Sequence, residues 1–173
     1  MKSTIQYIEK ELAGLYPFTE IEGFKRIIFE FVCGWGFTEQ VLKKHEIVAS
    51  EEFEKIKSIV LRLKHNEPIQ YILGETEFYG LKLKVSPAVL IPRPETEELV
   101  EWIVQSKLPV NCAVLDIGTG SGCIALAIKN QLKNAKVSGI DISGEALKIA
   151  RQNANENGLE VNCSLADLHN MST

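Results

Sequence analysis

The residues with the clearest chemical potential are Val114–Gly122, Val-Leu-Asp-Ile-Gly-Thr-Gly-Ser-Gly. A short apolar run carries a carboxylate, Asp116, and ends in three alternating glycines, Gly118, Gly120 and Gly122. The run Cys123-Ile124-Ala125-Leu126-Ala127-Ile128 follows, suited to a buried helix. Strand, glycine turn and helix open a nucleotide-binding βαβ unit. Glycines there let backbone approach a ligand where a Cβ would collide. The helix N-terminus beyond them turns its N–H groups toward an anionic group. A second predicted strand, 136–140, ends in Asp141, about 20 residues past the turn, where an acid can bond ribose hydroxyls. A third, 160–165, runs into Ala166-Asp167-Leu168, so another acid faces the same crevice.

The spacing is G-x-G-x-G, with Cys123 where a dinucleotide fingerprint has its third glycine. Asp116 at the strand end repels a pyrophosphate and accepts a cationic amino group. A ligand carrying both an amino group and a carboxylate fits this pairing, and the methionine part of S-adenosylmethionine is one. The expected cofactor contacts are Asp116, Gly118, Thr119, Gly120, Ser121, Gly122 and Asp141. The bland alternative is a tight strand-to-helix turn with no ligand.

The elements that must position these residues follow from pattern. Residues 1–72 read as a helical bundle, a candidate surface for a partner protein. Ile5, Ile8, Leu12 and Leu15 share one helical face, and Ser3 and Gln6 have capping-box spacing. Thr19 and Glu22 repeat that spacing before Ile21, Phe24, Ile27, Ile28, Phe31 and Val32, and Gly34-Trp35-Gly36 ends the helix. A short helix is expected over 38–44 and a longer one capped by Ser50. Residues 73–90 read as a hairpin connector, with strands 75–78 and 81–85 around Tyr79-Gly80. Residues 91–173 complete the chain. There two prolines hold Ile91-Pro92-Arg93-Pro94 extended, Glu95, Glu97 and Glu98 load the start of a helix, and Arg93 is either a solvated linker charge or a group beside the pocket. Ser143 caps a further helix that ends at Asn157-Gly158.

Composition bounds the function. The 173 residues carry a net charge of −4, with 45% hydrophobic and 24% charged residues, as in an ordinary globular protein. The acidic balance argues against direct binding of naked nucleic acid. His45, His65 and His169 are scattered and the four cysteines lack C-x-x-C spacing, so no metal site is expected and the thiols read as reduced. No stretch is long and apolar enough for a signal peptide or membrane span, and a cytoplasmic monomer is expected.

Pro68-Ile69-Gln70-Tyr71-Ile72-Leu73-Gly74, Glu77-Phe78-Tyr79-Gly80, Val89–Glu97 and Val114–Gly122 together closely resemble the protein-(glutamine-N5) methyltransferases of peptide chain release factors. The glycine motif is shared by many methyltransferases. The Ile-Pro-Arg-Pro-Glu-Thr-Glu segment at this distance before it is much more specific. The resemblance implies an α/β fold: an N-terminal helical bundle, a β-hairpin connector and a Rossmann-like S-adenosylmethionine-dependent methyltransferase domain, truncated here after its third strand. By the same resemblance Asp116 matches the acid near the cofactor amino group and Asp141 the acid on the ribose. Asp167 and Leu168 match the position beside the adenine, and Arg93 lies in the segment passing the cofactor pocket. The bundle would contact the release factor, whose Gly-Gly-Gln glutamine would be methylated. The family's Asn-Pro-Pro-Tyr motif, which grips the substrate amide, does not occur here. The catalytic residues are therefore unassigned, and the chain alone is expected not to turn over. Two other enzyme readings are weaker. An adenine-N6 nucleic-acid methyltransferase shares the absent motif but fits poorly with the acidic charge. An NAD-dependent oxidoreductase fits poorly with the G-x-G-x-G spacing and Asp116. A non-catalytic helical-bundle binding module is the alternative from another class.

Overall fold

A computed structural model describes residues 1–167, and the chain divides into two units, Met1–Leu73 and Gly74–Thr173. The first unit is helical: α1 (Lys2–Leu12), α2 (Phe18–Cys33), α3 (Phe37–Leu42), α4 (Ser50–Lys64) and α5 (Ile69–Leu73). Ile8 and Leu12 of α1, Ile28 and Phe29 of α2, and Ile56, Val60 and Leu63 of α4 are fully buried in its core. They recur at helical spacing, which is why three amphipathic segments make one interior. Phe29 stacks on Trp35 with ring centroids 6.0 Å apart.

The helix ends differ from expectation in detail. Neither expected capping box forms. Helix α1 begins at Lys2, so Ser3 already lies inside it, and Pro17 takes the cap position of α2. Proline's fixed φ, −58° here, pre-sets a helix start without any side-chain bond. Ala49, rather than Ser50, caps α4, and the Glu52 carboxylate accepts the Ala49 N–H at 3.0 Å. Leu15, expected on the apolar face of α1, lies beyond its end and is half exposed. The left-handed Gly34 that ends α2 (φ 68°) is where the glycine predicts it.

The second unit begins with a hairpin, β1 (Glu75–Phe78) and β2 (Leu81–Lys84), turning at Tyr79 (φ 48°) and Gly80 (φ 73°). Two consecutive positive φ values are what a two-residue hairpin loop requires. The hairpin, expected as a connector, buries Phe78, Leu81 and Leu83 in the same core as Val100, Ala125, Leu126 and Ile128. It is a structural part of the unit.

Then follow α6 (Glu95–Gln105), β3 (Ala113–Ile117), α7 (Cys123–Gln131), β4 (Lys136–Asp141), α8 (Gly144–Glu156) and β5 (Asn162–Leu165). The last three strands form a parallel sheet in the order β3-β4-β5. Parallel neighbours need a crossover, and α7 and α8 supply it. Val114 and Val137, paired in register, join the core packed with α7. Leu115 and Ile117 point to the other face of β3 and are each 54% exposed. Among the described residues β3 pairs only with β4, so its outer edge is unpaired.

Candidate cofactor-binding site

The parallel topology brings Asp116, Asp141 and Asp167 to the carboxyl ends of three adjacent strands, the edge of an open α/β sheet where ligands bind. Between the first two lies the glycine turn. Gly118, Gly120 and Gly122 all take left-handed φ, 75°, 56° and 82°. Any L side chain would be strained at each of them. The space outside Gly118 and Gly120 is open: a Cβ on Gly118 would meet nothing within 4 Å, and one on Gly120 only the Gly118 carbonyl at 3.9 Å. Gly122 instead faces inward, where a Cβ would press on Ala150 and Leu126 at 3.3 Å. The first two glycines thus present bare backbone, and the third lets α7 pack against α8.

The turn is fixed by its own bonds. Gly118 and Thr119 both donate their N–H groups to the Ile140 carbonyl, at 2.8 and 3.0 Å. Gly122 N–H reaches the Thr119 carbonyl at 2.8 Å. The Asp141 carboxylate spans two elements: Oδ2 accepts the Gly120 N–H at 2.9 Å and Oδ1 the Ser143 N–H at 2.8 Å. Asp141 is thereby held against the turn, with lone pairs remaining for a ligand's hydroxyls. The Ser143 hydroxyl caps α8 by accepting the Ala146 N–H at 3.2 Å.

Asp116 is held differently. Burial raises its pKa above the usual carboxylate value, and the nearby Asp141 adds to that, while the Thr119 hydroxyl and the Ala125 backbone pull it down. The balance leaves a poorly solvated carboxylate in need of a cation. Thr119 is buried, its hydroxyl committed to Asp116 at 2.7 Å. Its side chain therefore orients the acid, and a ligand would meet its backbone. Ser121 is also buried, its hydroxyl included. It adjoins the Cys123 thiol, which burial pushes upward and this hydroxyl opposes. A thiol so raised is a packing group and not a nucleophile.

Three expected residues remain, Asp167, Leu168 and Arg93. Asp167 is half-buried just past β5. Leu168 lies outside the described residues. Arg93 is exposed in the loop before α6, where its carbonyl accepts the Thr96 N–H at 3.0 Å and its side chain enters no ion pair among the described residues. Among the described residues no group of three or more metal-ligating side chains occurs, and no helix is long and apolar enough to cross a membrane.

Two positions escaped the sequence reading. Gly139, in register with Asp116, has no room for a Cβ, which would sit 2.8 Å from Thr119 Oγ1. Asn153 of α8 is completely buried and donates to the Ser121 carbonyl at 2.9 Å. Its signal was available: it falls on the buried stripe of Ala146, Leu147, Ala150 and Ala154, where a polar residue must have partners.

Comparison with known proteins accounts for both units. Residues 4–74 match the PrmC N-terminal domain and residues 108–173 match a methyltransferase domain. A release factor glutamine methyltransferase of Flavobacterium psychrophilum is 44% identical over 154 residues, covering 87% of this chain and 54% of that protein. Its counterpart in Bacteroides thetaiotaomicron is 43% identical, covering 90% and 56%. That of Streptococcus pneumoniae is 47% identical, covering 78% and 48%. The chain spans about half the length of these relatives. Among solved structures, a Pyrococcus abyssi tRNA (uracil-54, C5)-methyltransferase in complex with S-adenosyl-L-homocysteine superposes with a TM-score of 0.48 at 17% identity, over 57% of this chain and 24% of that one.

Proposed function

We propose that this chain belongs with the release factor glutamine methyltransferases that it resembles, and that its second unit holds S-adenosyl-L-methionine for methylation of a glutamine side-chain amide. The observation that carries this is the pair of strand-end acids, Asp116 and Asp141, framing bare left-handed backbone at Gly118 and Gly120. When bound, the cofactor supplies an electrophilic methyl group on a sulfonium. Asp116 receives the cofactor's ammonium, an exchange that relieves its own desolvation. The turn's backbone and the start of α7 receive the carboxylate. Asp141 binds the ribose hydroxyls. Asp167 and the residue after it border the adenine, and Arg93 flanks the pocket from the proline segment.

The substrate of this reading is the glutamine of the Gly-Gly-Gln motif in a peptide chain release factor, and the helical unit is the surface that engages the factor. The chemistry is chiefly positioning: amide nitrogen and methyl are held in line at near-attack distance. The Asn-Pro-Pro-Tyr motif that the resemblance assigns to gripping the amide is not among these 173 residues.

Calorimetric titration of the chain with S-adenosyl-L-methionine tests the reading. Saturable binding that weakens at least tenfold in Asp141→Ala is expected. An absence of binding in a chain shown to be folded by circular dichroism overturns it.

A further inference from the structure

The hairpin and the glycine turn are far apart in sequence, yet one side chain is bonded to both. Asn153 lies on α8, completely buried. Its Oδ1 accepts the Lys84 N–H at 2.6 Å, and its Nδ2 donates to the Lys84 carbonyl at 3.0 Å and the Ser121 carbonyl at 2.9 Å. Every donor and acceptor of the amide is engaged on backbone except one lone pair. One helical turn on, Asn157 donates to the Lys82 carbonyl at 2.9 Å. The two amides thus follow β2 along the edge that β1 leaves open, as a third strand would.

We infer that Asn153 is a positioning residue of the cofactor site: it fixes the Ser121 carbonyl, and with it the conformation of the Gly120–Gly122 backbone, by anchoring both to β2. The chemistry favours this over simple packing. An amide completely out of water is costly unless paired, so its three bonds cannot be exchanged for solvent. A residue that only filled space on this stripe would be alanine, as at Ala146, Ala150 and Ala154. The Ser121 carbonyl sits between two left-handed glycines that supply no side-chain packing of their own. Without Asn153 the Ser121 carbonyl loses this bond, and the Ser121–Gly122 peptide is left with the Gly122 N–H bond to the Thr119 carbonyl. The cofactor consequence rests on the function proposed above; the anchoring does not.

The test is amide hydrogen exchange by NMR on Asn153→Ala, Asn157→Ala and Val100→Ala. Val100→Ala is a core control on α6, compared at an equal distance below each variant's thermal midpoint. Asn153→Ala should accelerate exchange of the Gly122 and Leu126 amides at least tenfold beyond the rest of the sheet and weaken S-adenosyl-L-methionine at least tenfold. Asn157→Ala, which frees the hairpin edge but leaves Ser121 bonded, and Val100→Ala should do neither. Equal acceleration in Asn153→Ala and Val100→Ala overturns the inference. If the wild-type chain binds no cofactor, the proposed function fails while the exchange comparison still decides the role of Asn153. If Asn153→Ala does not fold, native-state exchange of the wild type decides. The Asn153 side-chain amide protons and the Gly122 amide should open with the same denaturant dependence, and different dependences overturn the anchoring.

Discussion

Thr119 Oγ1 donates to Asp116 Oδ2 at 2.7 Å, across one turn of backbone that begins and ends in the candidate cofactor site. The bond explains how a desolvated carboxylate is kept in one orientation before any cation arrives. It also makes the acid's titration a measurable property. Asp116 has a folded pKa raised by burial. Between its unfolded value and that raised value the native chain holds the extra proton, so this group's contribution to stability falls as pH rises through the window. Asp116→Asn should remove that slope: the difference between wild-type and variant unfolding free energies shrinks as pH falls toward the unfolded carboxylate range. At neutral pH the variant should be the more stable protein and the poorer binder of S-adenosyl-L-methionine. Chemical denaturation across pH 4–8 with a parallel titration checks it, and a variant less stable at every pH contradicts it.

Gly139→Ala should break the same arrangement from behind. The added Cβ meets Thr119 Oγ1 at 2.8 Å and its Cβ and Cγ2 at 3.0 Å. Thr119 is itself buried against the sheet, so the clash is relieved by moving the turn. The expected cost is about 1–3 kcal/mol, with cofactor affinity lowered more than tenfold. Differential scanning calorimetry and titration read the two effects separately.

Phe29→Ala should destabilise the helical unit by about 3–5 kcal/mol, since the ring is completely buried. Trp35 is its stacking partner and the only tryptophan of the unit, so its fluorescence reports the loss directly. An unchanged emission midpoint in urea contradicts the assignment of Phe29 to this core.

Strand β3 presents an unpaired edge among the described residues, beside Leu115 and Ile117. Edges of this kind pair with other chains. Sedimentation of the 173-residue chain should show association growing with concentration, suppressed by Leu115→Lys with Ile117→Lys. A monomer at every concentration, the state expected in the sequence analysis, contradicts the prediction.

Much of this architecture could be read from residue order. Asp116, the three glycines and Asp141 announced strand, turn and strand because apolar runs ending in acids on either side of alternating glycines suit a strand-to-helix turn. Tyr79-Gly80 announced its hairpin turn in the same way. The helix starts were harder. Ser3-Gln6 and Thr19-Glu22 carry the right residues, but a cap is decided by which residue first leaves helical geometry, and Pro17 settles that for α2. The roles of Gly139 and Asn153 were harder to read for a different reason. Their partners lie across the sheet or on another element, 20 to 69 residues away, so a polar Asn153 on a buried stripe signals that it has partners without saying which.

The asparagines bonded to β2 bear on how this protein ages. Asn157-Gly158 is the dipeptide most prone to lose its side-chain amide through a succinimide, because glycine's nitrogen can swing onto the asparagine carbonyl carbon. Here Gly158 N–H is bonded to the Asn155 carbonyl at 3.1 Å, and the Asn157 amide is tied to the Lys82 and Asn153 carbonyls. The attack cannot occur until α8 frays and the hairpin lets go. Deamidation at this bond is therefore a slow chemical clock, and its rate on storage records how often the end of α8 frays and lets go of the hairpin edge.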